Sequence, residues 1–171
     1  MDRSFLNEVS RRSGQTFEGC FHCLSCAAGC PVVEAMDYNP NQLIRMMQLG
    51  MKNKVLESRA IWLCIGCYSC ISQCPNRVNI PALMDTFREM ALEEKIQVSE
   101  PAILSFHKAF LDQVRKRGRV FELGLMARYK LLTGTFFQDM SAGMQMMRKG
   151  RFRLFPSRSG GRKQIRKIME A

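Results

Sequence analysis

The sequence predicts a mainly α-helical protein, on three observations. Apolar residues recur at three- and four-residue intervals along most of the 171 positions. Proline directly follows Asn39 and stands two residues after Asn79 and Ser99, the pattern of capped helix starts. Alternating apolar patterns of the strand type are nearly absent.

In chain order, residues 1–17 are polar, with Phe5, Leu6 and Val9 on one face of a short helix. A cysteine run from Cys20 to Cys30 follows, and Pro31 stops it from continuing as helix. Asn39-Pro40 opens a helix with Leu43, Ile44, Met47 and Met51 at helical spacing, and Gly50 closes it. A further start at Ser58 leads through Ala60, Ile61 and Trp62 into Cys64. The linker between the two cysteine runs is therefore long and helical. After the second run, ended by Pro75, Asn79 and Pro81 begin a helix with Leu83, Phe87 and Met90 on one stripe, ending near residue 95. Ser99 and Pro101 open the next, with Ile103, Leu104, His107, Leu111 and Val114 on one face and Gly118 at its end. Val120 to Leu132 reads as another helix, stopped near Gly134. Asp139 caps a further one, with Met144 and Met147 inward. Residues 151–156 read as extended, 157–161 as a joint, and 162–169 as a last basic helix carrying Ile165 and Ile168.

All eight cysteines fall in two runs of one pattern, C-x2-C-x2-C-x3-C-P. The first holds Cys20, Cys23, Cys26 and Cys30, the second Cys64, Cys67, Cys70 and Cys74. This is the run of bacterial two-cluster ferredoxins, in which the fourth cysteine ligates the other cluster. A [4Fe–4S] cube offers four iron corners, each wanting one thiolate. A tight C-x2-C-x2-C loop brings sulfurs to three of them, and the fourth cysteine is carried off to the neighbouring cube. The expected ligand sets are Cys20, Cys23, Cys26 and Cys74 for one [4Fe–4S] cluster, and Cys64, Cys67, Cys70 and Cys30 for the other. Crossed ligation holds the two clusters side by side, which suits electron tunnelling. Disulfides are disfavoured in a chain that carries no sign of export. Zinc ribbons explain C-x2-C pairs, but not the third cysteine, the x3 spacing and the proline, twice over.

A β-type ferredoxin joins its two runs by short turns and strands. The helical linker here predicts instead a helical ferredoxin-like two-cluster module with a C-terminal helical extension. The expected organisation is an N-terminal segment, 1–17, the two-[4Fe–4S] module, 18–95, and a helical docking region, 96–171.

Composition narrows the partners. Apolar residues make up 46%, enough for a packed core. The formal net charge is +11, but that count leaves out the thiolates bound to iron. Lys and Arg gather in the second half among Phe and Met, as a protein-docking surface would have them, so nucleic acid is not an expected partner. No apolar run reaches the length of a transmembrane helix. The N-terminus is charged and lacks an apolar signal core, and Arg11-Arg12 is followed by Ser13-Gly14-Gln15 where a twin-arginine signal turns apolar. The expected location is the cytoplasm.

Single residues carry two readings each. His22, between two expected ligands, either tunes the cluster through a hydrogen bond to sulfur or serves turn geometry. Trp62 and Tyr68 flank the second cluster and are expected to shield it from water. His107 reads as a core or interface histidine. Met144, Met146 and Met147 form either core or an adaptable contact surface, and Arg148 to Lys167 either a solvated face or a contact for an acidic partner. There is no G-x-G-x-x-G fingerprint, no phosphate loop and no nucleophile–histidine–carboxylate set, so the chain carries electrons without an active site of its own.

The sequence resembles the C subunit of heterodisulfide reductase. The markers are the two cysteine runs, Asn39-Pro40-Asn41-Gln42-Leu43-Ile44-Arg45 with Leu49-Gly50, and Ile61-Trp62-Leu63-Cys64. Phe106-His107-Lys108-Ala109-Phe110 and Gly118 to Leu125 extend the likeness into the second half, which separates this family from other ferredoxins. The resemblance implies an electron relay within a hetero-oligomer. Electrons would pass from a flavin- and iron–sulfur-containing A subunit, able to bifurcate them, to a cysteine-rich B subunit that reduces a disulfide. Other classes remain: the iron–sulfur subunit of another anaerobic dehydrogenase of glycerol-3-phosphate or succinate type, a free ferredoxin, or a zinc-stabilised interaction module. The cysteine-free second half disfavours a free carrier, and the lack of plant-type [2Fe–2S] spacing disfavours the succinate enzymes.

Overall fold

Phe5, Leu6 and Val9 lie buried along one face of the first helix, α1 (Ser4–Ser13), which ends on the left-handed Gly14. The computed structural model describes residues 3–135, 144–145, 148–149 and 160–170, and all regular structure among them is helical. The chain divides into two compact units, residues 1–100 and 101–171.

In the first unit the cysteine runs contribute two short helices, α2 (Ser25–Ala28) and α6 (Ser69–Ser72). Between them lie a 3-10 turn (Val33–Ala35), α3 (Pro40–Gln48), α4 (Lys52–Leu56) and α5 (Ala60–Leu63). The second run is followed by α7 (Ile80–Glu93). Asn39 and Gln42 form a capping box with proline in the first turn of α3, and the Asn79 side chain accepts from Ala82 N at 3.1 Å to cap α7.

The start of α5 is capped otherwise than its local sequence suggests. Ser58 is buried and its hydroxyl makes no hydrogen bond. The carboxylate of Asp37 accepts from Arg59 N at 2.8 Å and Ala60 N at 2.9 Å. A cap reaching back from a preceding loop leaves no local signal.

The core of this unit joins α1, α3, α4, α5 and α7. Leu43, Ile44, Met47, Val55, Ile61, Leu83, Met84, Phe87 and Met90 are all buried, and Phe5 stacks on Phe87 with ring centroids 5.9 Å apart. Glu93 of α7 pairs with Arg12 of α1, and Glu94 with Lys52 of α4 at 2.6 Å. Residues 96–100 stay with this unit, where Arg59 pairs with Glu100 and Ser99 Oγ donates to Glu57 O.

The second unit holds α8 (Pro101–Arg117), α9 (Glu122–Thr133) and α10 (Arg162–Glu170). Gly134, at φ 69°, ends α9 as expected from its left-handed requirement. The buried seam of α8 is not the expected apolar stripe. Ala109 and Gln113 are buried, whereas Leu111 is 52% exposed. The cause lies on α9: a Cβ at Gly124 would meet Gln113 Nε2 at 2.9 Å, so the missing side chain lets a polar residue into the seam. Asp112 ties the pair by accepting from Arg128 at 2.9 Å. Met144 is exposed and not inward. Met146, Met147, the cap at Asp139 and the extended stretch 151–156 lie outside the described residues.

Candidate metal centres

The two cysteine runs fold alike because they share a backbone. Leu24 and Tyr68 sit in the left-handed region at φ 67° and 64°, turning each loop sharply into α2 or α6. Two residues earlier, His22 and Gly66 do the same at φ 53° and 60°. Glycine meets that demand without strain, whereas histidine adopts it at a cost of about 1 kcal/mol. α2 and α6 then pack against each other. Gly29 permits the approach, since a Cβ there would run into the side chain of Gln73.

That contact interleaves the runs. One cavity is lined by Cys20, Cys23, Cys26 and Cys74, together with Ile44, Val78 and Ile80. A second is lined by Cys64, Cys67, Cys70 and Cys30, together with Val32, Met36, Ile80 and Met84. Ile80, buried at the start of α7, lines both. Each cavity thus meets three cysteines of one run and the last cysteine of the other.

The donors suit iron–sulfur chemistry. Thiol-only sets favour zinc or iron–sulfur clusters. Four thiols drawn from two loops about one cavity match the four iron corners of a cluster. Among the described residues no three Cys, His, Asp or Glu side chains lie close enough to hold a single ion.

The surroundings tune the thiols unequally. Burial pushes up the pKa of Cys20, Cys26 and Cys64, and raises that of Cys70 to about 11 with help from Cys64. The exposed Cys23 and Cys67 are lowered, first by the hydroxyls of Ser25 and Ser69, at 3.3 and 3.4 Å. Val78 N donates to Cys74 Sγ at 3.3 Å. His22 serves the turn, and its ring lies with Nδ1 3.9 Å from Cys20 Sγ and Nε2 3.1 Å from Gln48 Oε1. Tyr68 lines the second cavity and is 60% exposed, but Trp62 is buried and lines neither cavity, contrary to the expectation of a shield.

Several residues of the surroundings carried no expectation. Gln48 Nε2 donates to Phe17 O at 3.2 Å, Asn76 to Gly19 O, and Arg88 to Ile61 O and Cys64 O, so each loop is braced from outside its own run or from a distant helix. For Ser25 and Ser69 a signal did exist, since both runs read Cys-x-Ser-Cys.

The 4Fe-4S dicluster domain model matches residues 16–78. The C subunit of the ferredoxin:CoB-CoM heterodisulfide reductase of Methanosarcina mazei is 32% identical over 128 residues, covering 70% of this chain and 77% of that protein. The chain belongs to the family of heterodisulfide reductase C subunits. Among other family members, the C subunit of the H(2):CoB-CoM heterodisulfide,ferredoxin reductase of Methanothermobacter thermautotrophicus is 32% identical over 69% of this chain. That of the ferredoxin:CoB-CoM heterodisulfide reductase of Methanosarcina acetivorans is 35% identical over 57%. The chain spans 60% and 41% of the lengths of these two relatives. In this family member the dicluster match takes in all eight cysteines and stops just before Asn79, so α7 and the second unit lie beyond it. Among the described residues no helix is long and apolar enough to cross a membrane.

Proposed function

We propose that the chain is the electron-relay subunit of a heterodisulfide reductase-type complex. It holds one [4Fe–4S] cluster on Cys20, Cys23, Cys26 and Cys74 and another on Cys64, Cys67, Cys70 and Cys30. The observation that carries this reading is the pair of four-cysteine cavities, each drawing three thiols from one run and one from the other. Bound clusters of this type supply one-electron transfer.

The chain's own residues do the rest. Cys30 and Cys74 reach across between the runs and keep the two sites adjacent. Ile80, common to both cavities, keeps water out of the wall between them. The loops present Phe21 and Leu24 at one site and Ile65 and Tyr68 at the other, all exposed, as apolar rims against which donor and acceptor proteins seat. The donor is a flavin- and iron–sulfur-containing A subunit and the acceptor a disulfide-reducing B subunit, met in the cytoplasm. The second unit, with its basic surface, serves assembly.

The test is anaerobic purification with iron, sulfide and zinc assays. The expected content is about eight iron atoms per chain. Four or fewer, or zinc in their place, overturns the reading. Purification from the native host should bring a flavoprotein and a cysteine-rich protein with it, and their absence would refute the relay role even in an iron-loaded chain.

A further inference from the structure

The first unit is an internal repeat at the level of its braces. Each cysteine run is followed by an asparagine-capped helix, α3 after the first and α7 after the second. Gln48 and Arg88 stand the same distance along these helices from their caps, Asn39 and Asn79. They do the same job. Gln48 Nε2 donates to Phe17 O, the carbonyl three residues before Cys20. Arg88 Nε donates at 2.5 Å to Ile61 O, the carbonyl three residues before Cys64, and a second guanidinium nitrogen donates to Cys64 O itself. The two halves therefore differ at one equivalent position: a neutral amide braces the first run, and a full positive charge braces the second.

We infer that Arg88 sets the two clusters apart in reduction potential, holding that of Cys64, Cys67, Cys70 and Cys30 above that of Cys20, Cys23, Cys26 and Cys74. This rests on the two-cluster reading above and deepens it. Reduction adds a negative charge to a cluster, and a nearby cation stabilises that charge in inverse proportion to distance and dielectric. Arg88 is well placed to act, being only 17% exposed. Its ion-pair partner Asp85, at 2.8 Å, opposes it but is 64% exposed, so water screens the carboxylate more than the guanidinium.

A cation also touches the first-run brace, since Arg45 Nη1 donates to Gln48 Oε1 at 3.5 Å, but Arg45 is exposed and water screens it more than Arg88. The seryl contacts at Cys23 and Cys67 are common to both halves and cancel. The Val78 amide at Cys74 favours the first cluster, but with a partial charge only. Gln48 Oε1 accepts from His22 Nε2, because Gln48 Nε2 is already committed as donor to Phe17 O. His22 Nδ1 stands 3.9 Å from Cys20 Sγ, a long contact that adds at most one weak hydrogen bond at the first cluster. An electron shared by the pair accordingly resides on the second-run cluster. Arg88 is a positioning residue in this sense, held by its two carbonyl partners and acting on the cluster by its charge.

The test is a redox titration of the full chain followed by electron paramagnetic resonance. Cys67→Ser, which changes a ligand of one cluster alone, marks the second-run signal. In the wild-type chain that signal should appear first on reduction. Arg88→Gln should lower its reduced-to-oxidised ratio at a fixed potential about tenfold, equivalent to about 59 mV for one electron, and leave the first-run signal in place. Arg88→Lys, which keeps the charge but loses the two-carbonyl brace, should stay near the wild type. Equal shifts in Gln and Lys variants, a shift of the first-run signal alone, or a wild-type first-run cluster that reduces first would overturn the inference. If Arg88→Gln fails to retain its cluster, Asp85→Asn decides: it should move the second-run signal upward, and no movement refutes the electrostatic role. A wild-type chain lacking two signals sinks the two-cluster reading instead, a separate outcome.

Discussion

Cys67 and Cys70 belong to one loop, yet their thiols are tuned in opposite directions. The first is exposed beside Ser69 and lowered, whereas the second is half-buried and pushed up to about 11. A lower pKa means more thiolate at a given pH, and thiolate is the form that alkylates. In iron-free, reduced protein at about pH 8, iodoacetamide should therefore modify Cys23 and Cys67 first and Cys70 last, as read by peptide mass spectrometry over time. Raising the pH toward that of Cys70 ionisation should close the gap; a uniform rate at the lower pH would contradict the hydroxyl contacts. The second prediction at this scale concerns Cys74. Its serine variant should disturb the cluster of the first run and spare that of its own sequence neighbours. Spectra showing loss of the second-run cluster alone would refute crossed ligation.

Helix α7 carries more of the fold than any other described element, through its cap, its core face and its brace on Cys64. Asn79→Ala removes the acceptor for Ala82 N and should cost about 1 kcal/mol. Phe87→Ala empties the ring stacked on Phe5 and should cost about 3–5 kcal/mol. Both are measurable by urea unfolding followed by circular dichroism, and comparable losses in the two variants would contradict this ranking. Such features were legible because their causes are local: Asn-Pro starts, apolar stripes and left-handed glycines lie within a few residues of what they determine. The cysteine spacing within each run is local in the same way, whereas the pairing of Cys74 with the first run and Cys30 with the second came from the two-cluster motif; the same eight thiols line the two cavities. What sequence reading missed comes from a distance. Asp37 caps α5 across an intervening helix pair, and Gln48 and Arg88 brace loops on other elements. The stripe expected on α8 failed because a glycine on α9 decided which face closes, a choice that α8 alone does not encode.

Charge divides between the halves of the molecule. Residues 101–171 carry 16 Lys and Arg against 4 Asp and Glu, and residues 1–100 carry 10 against 11. The whole positive surplus thus belongs to the cysteine-free half, and the cluster half stays near neutral before any thiolate is counted. Deleting residues 151–171 should weaken assembly with partner subunits and leave the iron content unchanged. Retention of partners in a pull-down should also fall as salt rises, since exposed charges are screened within about 10 Å at 0.1 M. Undiminished retention on both counts would refute docking through this half. The interleaving of Cys30 and Cys74 bears on biogenesis as well. Under the proposed crossed ligation, a nascent chain that has emerged only as far as the first run offers three sulfurs to a site that needs four; the second-run site becomes complete once Cys70 has emerged and the first-run site only after Cys74. Maturation factors would find both sites finished at nearly the same moment, and a ribosome stalled earlier would release a product unable to mature at all.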